Sequence, residues 1–351
     1  MKNSNDESSK VNGVLERGSR IRWIRRIGLG QRNFRYVNAE GQKITAQTEL
    51  ERIKSLVIPP AWKEVRICPS PRGKLQAIGI DTAGRIQYRY NEKFSIARQA
   101  IKFARVAEFG HALPTLRQQL NADIALEGYS KSKVLAVMIR LINDLYIRVG
   151  SEESVKLYKT YGVTTLRNRH LHIKRNGELH FNFVGKHHIR HRRVVVDKEL
   201  ATIMSDLKAM GGSKLFNYQD DVGKACPIKP RDINDYIKNA TGGEFSAKDF
   251  RTWGASVLAA GELAEIGAAE NNSQLKKNIV RIIKTVAERL GNTPAVCRNS
   301  YVHPTVIACY EKGITIGEFV PRTKRQIHKL EPEYLPEEAG LLKLLANEKC
   351  K

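Results

Sequence analysis

A change of hydrophobic period near residue 95 constrains this chain more than any single motif in it. Upstream, apolar residues come in short extended runs. RNFRYV and QKITA flank a turn at NAEG, Pro and Gly break VRICPSPRGKLQAIGID, and TAGR turns the chain into RIQYRY. Short β-prone runs bounded by turn residues read as strands, and only TELERIKSL reads as a helix there. Downstream the spacing is helical. Val134, Met138, Leu141 and Leu145 share one face of SKSKVLAVMIRLINDLYIRVG, with Ser130 or Ser132 as cap and Gly150 as stop. Ile279, Ile282, Ile283, Val286 and Leu290 do the same in KNIVRIIKTVAERLG, which Gly291 ends. One segment, LHIKRNGELHFNFVGKHHIRHRRVVVD, interrupts the helices; Asn176-Gly177 predicts a hairpin and Gly185-Lys186 a second reversal. The pattern predicts an α+β chain. A small β-rich N-terminal domain spans 21–95, and a mainly α-helical domain with an inserted β-hairpin or three-stranded sheet spans 96–328. Residues 1–20 read as a disordered tail and 329–351 as a peripheral, acidic-leaning C-terminal tail.

Charge narrows the partner. Sixty Lys and Arg against 36 Asp and Glu leave +24 on 351 residues. Positions 1–96 alone carry 19 basic and nine acidic residues. Such a balance suits a polyanion, because Lys and Arg neutralise phosphates and release condensed counterions. No apolar run reaches the length of a membrane span, and MKNSNDESSK lacks the apolar core of a signal peptide. The five cysteines are scattered with no CxxC pair. They predict reduced thiols of an intracellular protein, with neither a disulfide frame nor a zinc site.

Six of the nine histidines (His170, His172, His180, His187, His188 and His191) fall within 22 residues. A metal is conceivable there, but Arg167, Arg169, Lys174, Arg175, Arg190, Arg192 and Arg193 crowd the stretch, with Glu178 as its only carboxylate. That field favours a phosphate backbone over a dication. No Walker loop, GxGxxG, GxSxG or HExxH is present, so nucleotide hydrolysis and zinc proteolysis find no support. What remains is a set of basic residues at element ends: Arg148 in IRVGSEE, Lys186 at the tip between two strands, and Arg251 in the first turns of FSAKDFRTWGASVLAA. Ser246 and Asp249 form a capping box for that last helix. In ERLGNTPAVCRNSYVHPTVIACY, Thr293-Pro294 reads as cap and first position of a new helix, and Pro304 limits its length. Tyr301 therefore lies near a helix end, whereas Tyr310 follows an apolar run and reads as core-facing. Standing alone, Tyr301 would be read as core packing, because most tyrosines are structural.

The strings IRVGSEE, YGVTTLRNRHLHI, FVGKHHIRH, KDFRTWGAS and LGNTPAVCRNSYVHP resemble the catalytic motifs of type IB DNA topoisomerases, in their poxvirus-like bacterial branch. The resemblance covers roughly residues 22–325. It implies that Tyr301 is the nucleophile, Arg148 and Arg251 clamp the phosphate, and Lys186 is the hairpin lysine. Asn292 stands nine residues before Tyr301, where poxvirus enzymes have histidine and bacterial relatives commonly have asparagine. Gln87, Tyr88 and Tyr90 of RIQYRY match a strand that lies in the DNA major groove in this family. Lys248 matches a lysine near the scissile phosphate, and Arg167 and Arg169 join the DNA-binding set. The implied architecture is a C-shaped clamp closing on double-stranded DNA, acting as a monomer without metal or other cofactor, in the cytoplasm with the bacterial nucleoid.

The residue types suit that chemistry. A tyrosine oxygen conserves phosphodiester bond energy by forming a 3′-phosphotyrosyl link and releasing a 5′-hydroxyl that can attack in reverse. Arginine forks neutralise non-bridging oxygens, and a lysine can protonate the departing oxygen. Two alternatives remain. A tyrosine site-specific recombinase uses a similar set, but usually has His three residues before the second arginine, where this chain has Lys248, and a helical N-terminal domain. A non-catalytic basic nucleic-acid-binding protein would explain +24 but not the ordered Arg, Lys, Arg, Asn, Tyr series.

Overall fold

The computed structural model describes residues 20–28, 33–320 and 334–347. The expected N-terminal tail lies outside the described residues except for Arg20, as do 329–333 and 348–351 of the expected C-terminal tail. The chain divides into two compact units between Ile101 and Lys102. That division falls inside a 33-residue helix, α2 (Glu92–Ile124), which begins four residues before the expected domain boundary. No turn residue could have marked it.

The first unit is a five-stranded antiparallel sheet in the order β2-β1-β3-β4-β5. Its strands are β1 (Ile24–Gly28), β2 (Phe34–Val37), β3 (Lys63–Ile67), β4 (Leu75–Ile80) and β5 (Ile86–Tyr90), with one helix, α1 (Gln47–Ser55). Ile24, Ile53, Val65, Ile67 and Ala77 form one cluster, and Ile78 and Ile80 pack with Trp23, Ile86 and Tyr88 in another. Both faces of β4 are thus covered, which is why LQAIGI reads as a continuous apolar run rather than alternating. RNFRYV and QKITA flank the NAEG turn as expected, but the sheet partner of the first is β1. β2 pairs with β1, from Arg25 opposite Val37 to Gly28 opposite Phe34, and QKITA contributes only the bridge from Lys43 to Val37. The NAEG turn does form, closed by the Gln42 N–H donating to Asn38 Oδ1 at 2.8 Å.

The second unit is helical around α3 (Lys131–Leu145), where Val134, Met138, Leu141 and Leu145 are buried together with the residues between them. Ser130 is its cap, accepting from the Lys133 N–H at 3.3 Å. Its stop is not Gly150: the helix ends at Leu145, and Tyr146 takes a left-handed backbone (φ +54°). The inserted sheet is three-stranded, β6 (Leu171–Ile173), β7 (Glu178–Val184) and β8 (Arg190–Val196), in that spatial order. Four helices frame the residues singled out by sequence: α7 (Ala247–Ile266), α8 (Asn272–Leu290), α9 (Pro294–Ser300) and α10 (Pro304–Glu311). The smaller elements are α4 (Glu152–Tyr158), α5 (Lys198–Ala209), β9 (Asn217–Gln219), β10 (Ala225–Pro227) and α6 (Pro230–Thr241).

The stretch expected to be a peripheral tail contains α11 (Pro336–Ala346), with Leu341 and Leu344 buried in the same core. Glu338 on this helix is 3% exposed, paired with Arg117 at 2.6 Å and accepting from the Trp253 indole at 3.0 Å. Acidic composition concealed that burial, because one of the acids is a buried ion-pair partner. Cys68, Cys226 and Cys297 are free thiols, whereas Cys309 is disulfide-bonded, against the expectation of reduced cysteines throughout. Among the described residues no helix is long and apolar enough to cross a membrane.

Candidate active site

Arg148 stands in the loop after α3. Its carbonyl accepts from the Val163 N–H at 2.8 Å, and the Val149 carbonyl accepts from Thr164 at 2.9 Å. The IRVG and YGV segments therefore run against each other. Gly150 and Gly162 make that possible, since a Cβ on Gly150 would lie 2.8 Å from the Gly162 Cα. The same YGV segment is tied to the sheet by the Tyr161 N–H donating to the Val184 carbonyl at 2.8 Å. From this braced loop Arg148 Nη2 donates to Asn292 Oδ1 at 2.6 Å.

Asn292 follows the end of α8. Gly291 adopts φ +62°, and the Asn292 N–H reaches back to the Ala287 carbonyl at 2.9 Å, completing a helix cap with backbone atoms alone. The Asn292 side chain is left for Arg148, and its Nδ2 is buried without a hydrogen-bond partner.

Arg251 lies one turn inside α7, whose start is capped as expected by Asp249 Oδ2 accepting from the Ser246 N–H at 2.8 Å. The guanidinium is 3% exposed. It donates to the Leu290 carbonyl at 2.8 Å and to the Tyr146 carbonyl, so it gathers the negative C-terminal ends of α8 and α3. Its Nε has no partner. Burial, with the nearby Arg148 charge, pushes Arg251 down to about 10. An unpaired buried donor costs about 1–3 kcal/mol. Two such donors, on Arg251 and on the neighbour of Arg148, suit a site built for an incoming acceptor.

Tyr301 closes α9, which starts as expected with Thr293 accepting from Val296 and Pro294 in its first turn. The Tyr301 carbonyl accepts from Ser256 Oγ at 3.3 Å, and Ser256 Oγ also accepts from the His303 N–H at 3.0 Å. The Arg251 Cζ sits 5.3 Å from the Tyr301 ring centroid. Burial pushes the phenol up, but the Arg251 charge and hydrogen bond, then Arg148 and Lys248, outweigh it and hold Tyr301 below the usual phenol range. Tyr310, the rival, is 1% exposed, bonded to Asn278 at 2.7 Å and to the Gly267 carbonyl at 2.9 Å. It is core, as its sequence context implied.

Lys248 is exposed, one helical turn before Arg251. Lys186 is also exposed, at the β7–β8 tip, which the Gly185 N–H closes onto the Ile189 carbonyl at 2.8 Å. His187 and His188 in that tip are left-handed (φ +62° and +57°), a state costing non-glycine residues about 1–2 kcal/mol each. The histidine run disperses. His170 accepts from the Arg167 N–H at 3.0 Å, His180 bonds Glu178 at 2.6 Å, and His191 turns inward beside Arg148 and Arg251.

Not every residue singled out by sequence joins this cluster. Arg169 donates to the Tyr161 hydroxyl at 3.0 Å, and Arg167 is half-buried beside it in sequence. Gln87, Tyr88 and Tyr90 belong to the other unit, on its edge strand β5. Tyr88 and Tyr90 share one face with ring centroids 6.2 Å apart, and Tyr90 is 50% exposed. Gln87 points to the opposite face, engaged with Asp81 at 2.9 Å. Sequence reasoning missed Lys102. Its ammonium donates to the Ser300 carbonyl and lies 5.5 Å from the Tyr301 centroid. Burial, then Lys248, pushes it down to about 8. Nothing local marks a lysine 199 positions from the tyrosine it approaches.

A tyrosine oxygen beneath an arginine, with a second arginine, an amide and lysines around it, is equipped to exchange one phosphodiester for another. Comparison with known proteins gives the family. Residues 91–328 match the model of the eukaryotic DNA topoisomerase I catalytic core, and residues 33–81 match the bacterial DNA topoisomerase IB N-terminal domain. Over 291 residues the chain is 32% identical to DNA topoisomerase 1B of Acanthamoeba polyphaga mimivirus, spanning 81% of this chain and 86% of the relative. It is 26% identical over 239 residues to DNA topoisomerase 1B of vaccinia virus (strain Copenhagen), spanning 67% and 72%. The chain belongs to the type IB DNA topoisomerase family.

Proposed function

We propose that this enzyme relaxes supercoiled double-stranded DNA, as a monomer, by transient single-strand cleavage and religation. The Tyr301 oxygen attacks the scissile phosphorus, the 3′-phosphotyrosyl bond forms as the bond to the 5′-oxygen breaks, and the released 5′-hydroxyl later reverses both changes. One phosphodiester is exchanged for another, the phenol proton leaves to water and an equivalent proton is delivered to the 5′-oxygen, so the step balances without ATP or a metal ion. Arg148 and Arg251 neutralise the non-bridging oxygens as charge builds on phosphorus. Asn292 Nδ2 donates a neutral hydrogen bond to the same group, and Lys248 adds positive charge beside it. Lys186 protonates the leaving 5′-oxygen. Arg167, Arg169 and the β5 residues Gln87, Tyr88 and Tyr90 contact the duplex away from the reacting atoms.

The observation that carries this reading is the convergence of the buried Arg251 guanidinium, 5.3 Å from the Tyr301 ring, with the Arg148–Asn292 pair bonded at 2.6 Å. The Arg251 charge and hydrogen bond, then Arg148 and Lys248, hold the phenol below its usual range despite burial, which eases loss of its proton. Incubation of supercoiled plasmid with Tyr301→Phe, followed by SDS, is the test. The variant is expected to bind duplex like the wild type and to form no covalent adduct. A Tyr301→Phe protein that still relaxes plasmid, beside a Tyr310→Phe protein that does not, would overturn the assignment.

A further inference from the structure

His191 is a buried histidine that the mechanism above leaves unused. It lies on β8 opposite Phe183 of β7, and its ring stacks on that of Phe183 with centroids 5.0 Å apart and planes 18° from parallel. It is 7% exposed. Two glycines touch the ring from different elements. A Cβ built on Gly185 would lie 2.5 Å from its Nε2, and one built on Gly291 would lie 2.6 Å from its Cε1. Gly185 immediately precedes Lys186, and Gly291 immediately precedes Asn292. A single ring therefore spaces the base of the β7–β8 tip from the end of α8. At the tip itself Lys186 is exposed, and the Gly185 N–H closes the turn onto the Ile189 carbonyl at 2.8 Å.

The surroundings select an uncharged ring. Burial, then the charges of Arg193 on β8, Arg148 after α3 and Arg251 on α7, push His191 down to about 4. At neutral pH it is a rigid, flat, uncharged spacer among cations.

We propose that His191 is a positioning residue for the leaving-group proton: wedged between Gly185 and Gly291, it sets the Lys186 tip against the Arg148–Asn292 pair. The proposal rests on the reading of Lys186 as general acid. If the ring is removed, Lys186 loses its reach to the 5′-oxygen while Tyr301, Arg251 and Arg148 keep their own supports.

Single-turnover cleavage of two duplexes tests it, one with the natural bridging 5′-oxygen at the scissile phosphate and one with a bridging 5′-sulfur, whose thiolate leaves unprotonated. Four proteins are compared: wild type, Lys186→Ala, His191→Leu and the double variant. His191→Leu is expected to slow the oxygen substrate by about 10²-fold, the low end of general-acid contributions, and to cleave the sulfur substrate near the wild-type rate. The double variant is expected to be no slower than Lys186→Ala. Equal slowing on both substrates, or an unchanged rate on the oxygen substrate, would overturn the positioning role. So would multiplicative effects in the double variant. A Lys186→Ala defect that sulfur does not relieve would overturn the general-acid reading first, and the role of His191 with it. Should His191→Leu fold poorly, Gly185→Ala crowds the same ring from the tip side and is expected to show the same split between oxygen and sulfur.

Discussion

At position 292 backbone and side chain serve different partners. The N–H caps α8 through the Ala287 carbonyl, while Oδ1 accepts from Arg148 and Nδ2 is an unspent buried donor. A cap that uses only backbone atoms survives substitution. Asn292→Ala and Asn292→Gly should therefore melt close to the wild type, yet lose about 10²–10³ in cleavage rate, as loss of an oxyanion-hole donor does. Asn292→His offers a ring N–H at the same place and should retain most activity. Single-turnover rates with melting curves decide it; an active Gly variant beside a dead His variant would make the side chain structural. The residue type and its place after Gly291 were legible in sequence. Which atoms do the capping was not, because asparagine and its own backbone are equally able to cap.

Among the elements, α11 departs furthest from its sequence reading. Its Glu338 carboxylate is buried, which raises its proton affinity, but Arg117 and the Trp253 indole outweigh burial and hold it below the usual carboxylate range. A depressed carboxylate stabilises the fold above the unfolded-state value, about pH 4.3 for Glu, and that contribution disappears as pH falls through the lower folded value. Glu338→Gln removes the carboxylate that Arg117 and the Trp253 indole share and should cost about 3 kcal/mol at pH 7, the low end for a broken buried pair. Thermal melts should show the gap between variant and wild type beginning to narrow below about pH 4.3 and closing only once the pH falls below the lowered folded value, where Glu338 is uncharged too. A gap of constant size at every pH would remove the ion pair as its cause. The other elements were easier to read. Caps at Ser130, Ser246 and Thr293 and the reversals near Asn176-Gly177 and Gly185-Lys186 are local, so they form wherever the chain carries them.

For the whole molecule, +24 predicts binding governed by released counterions. With roughly 6–10 phosphates neutralised, duplex affinity should fall by about 10³–10⁵ between 50 and 200 mM salt. Relaxation at low salt should proceed in EDTA, since the proposed exchange needs no dication. Filter binding across a salt series, with relaxation assayed in parallel, checks both; complete arrest by EDTA would sink the metal-free mechanism.

Local chemistry determined the change of period near residue 95, the helix starts, the strand reversals and the linear order Arg148, Lys186, Arg251, Asn292, Tyr301. Each depends on neighbours within a turn or two, and those neighbours are written in the chain. Tertiary packing decided the rest. It buried Arg251 on the carbonyls of two helix ends, brought Lys102 under Tyr301, wedged His191 between two glycines, and folded an acidic stretch into the core. Those facts concern residues tens to hundreds of positions apart, and the energy of such a contact depends on what surrounds it once the chain has closed. No local pattern encodes that environment.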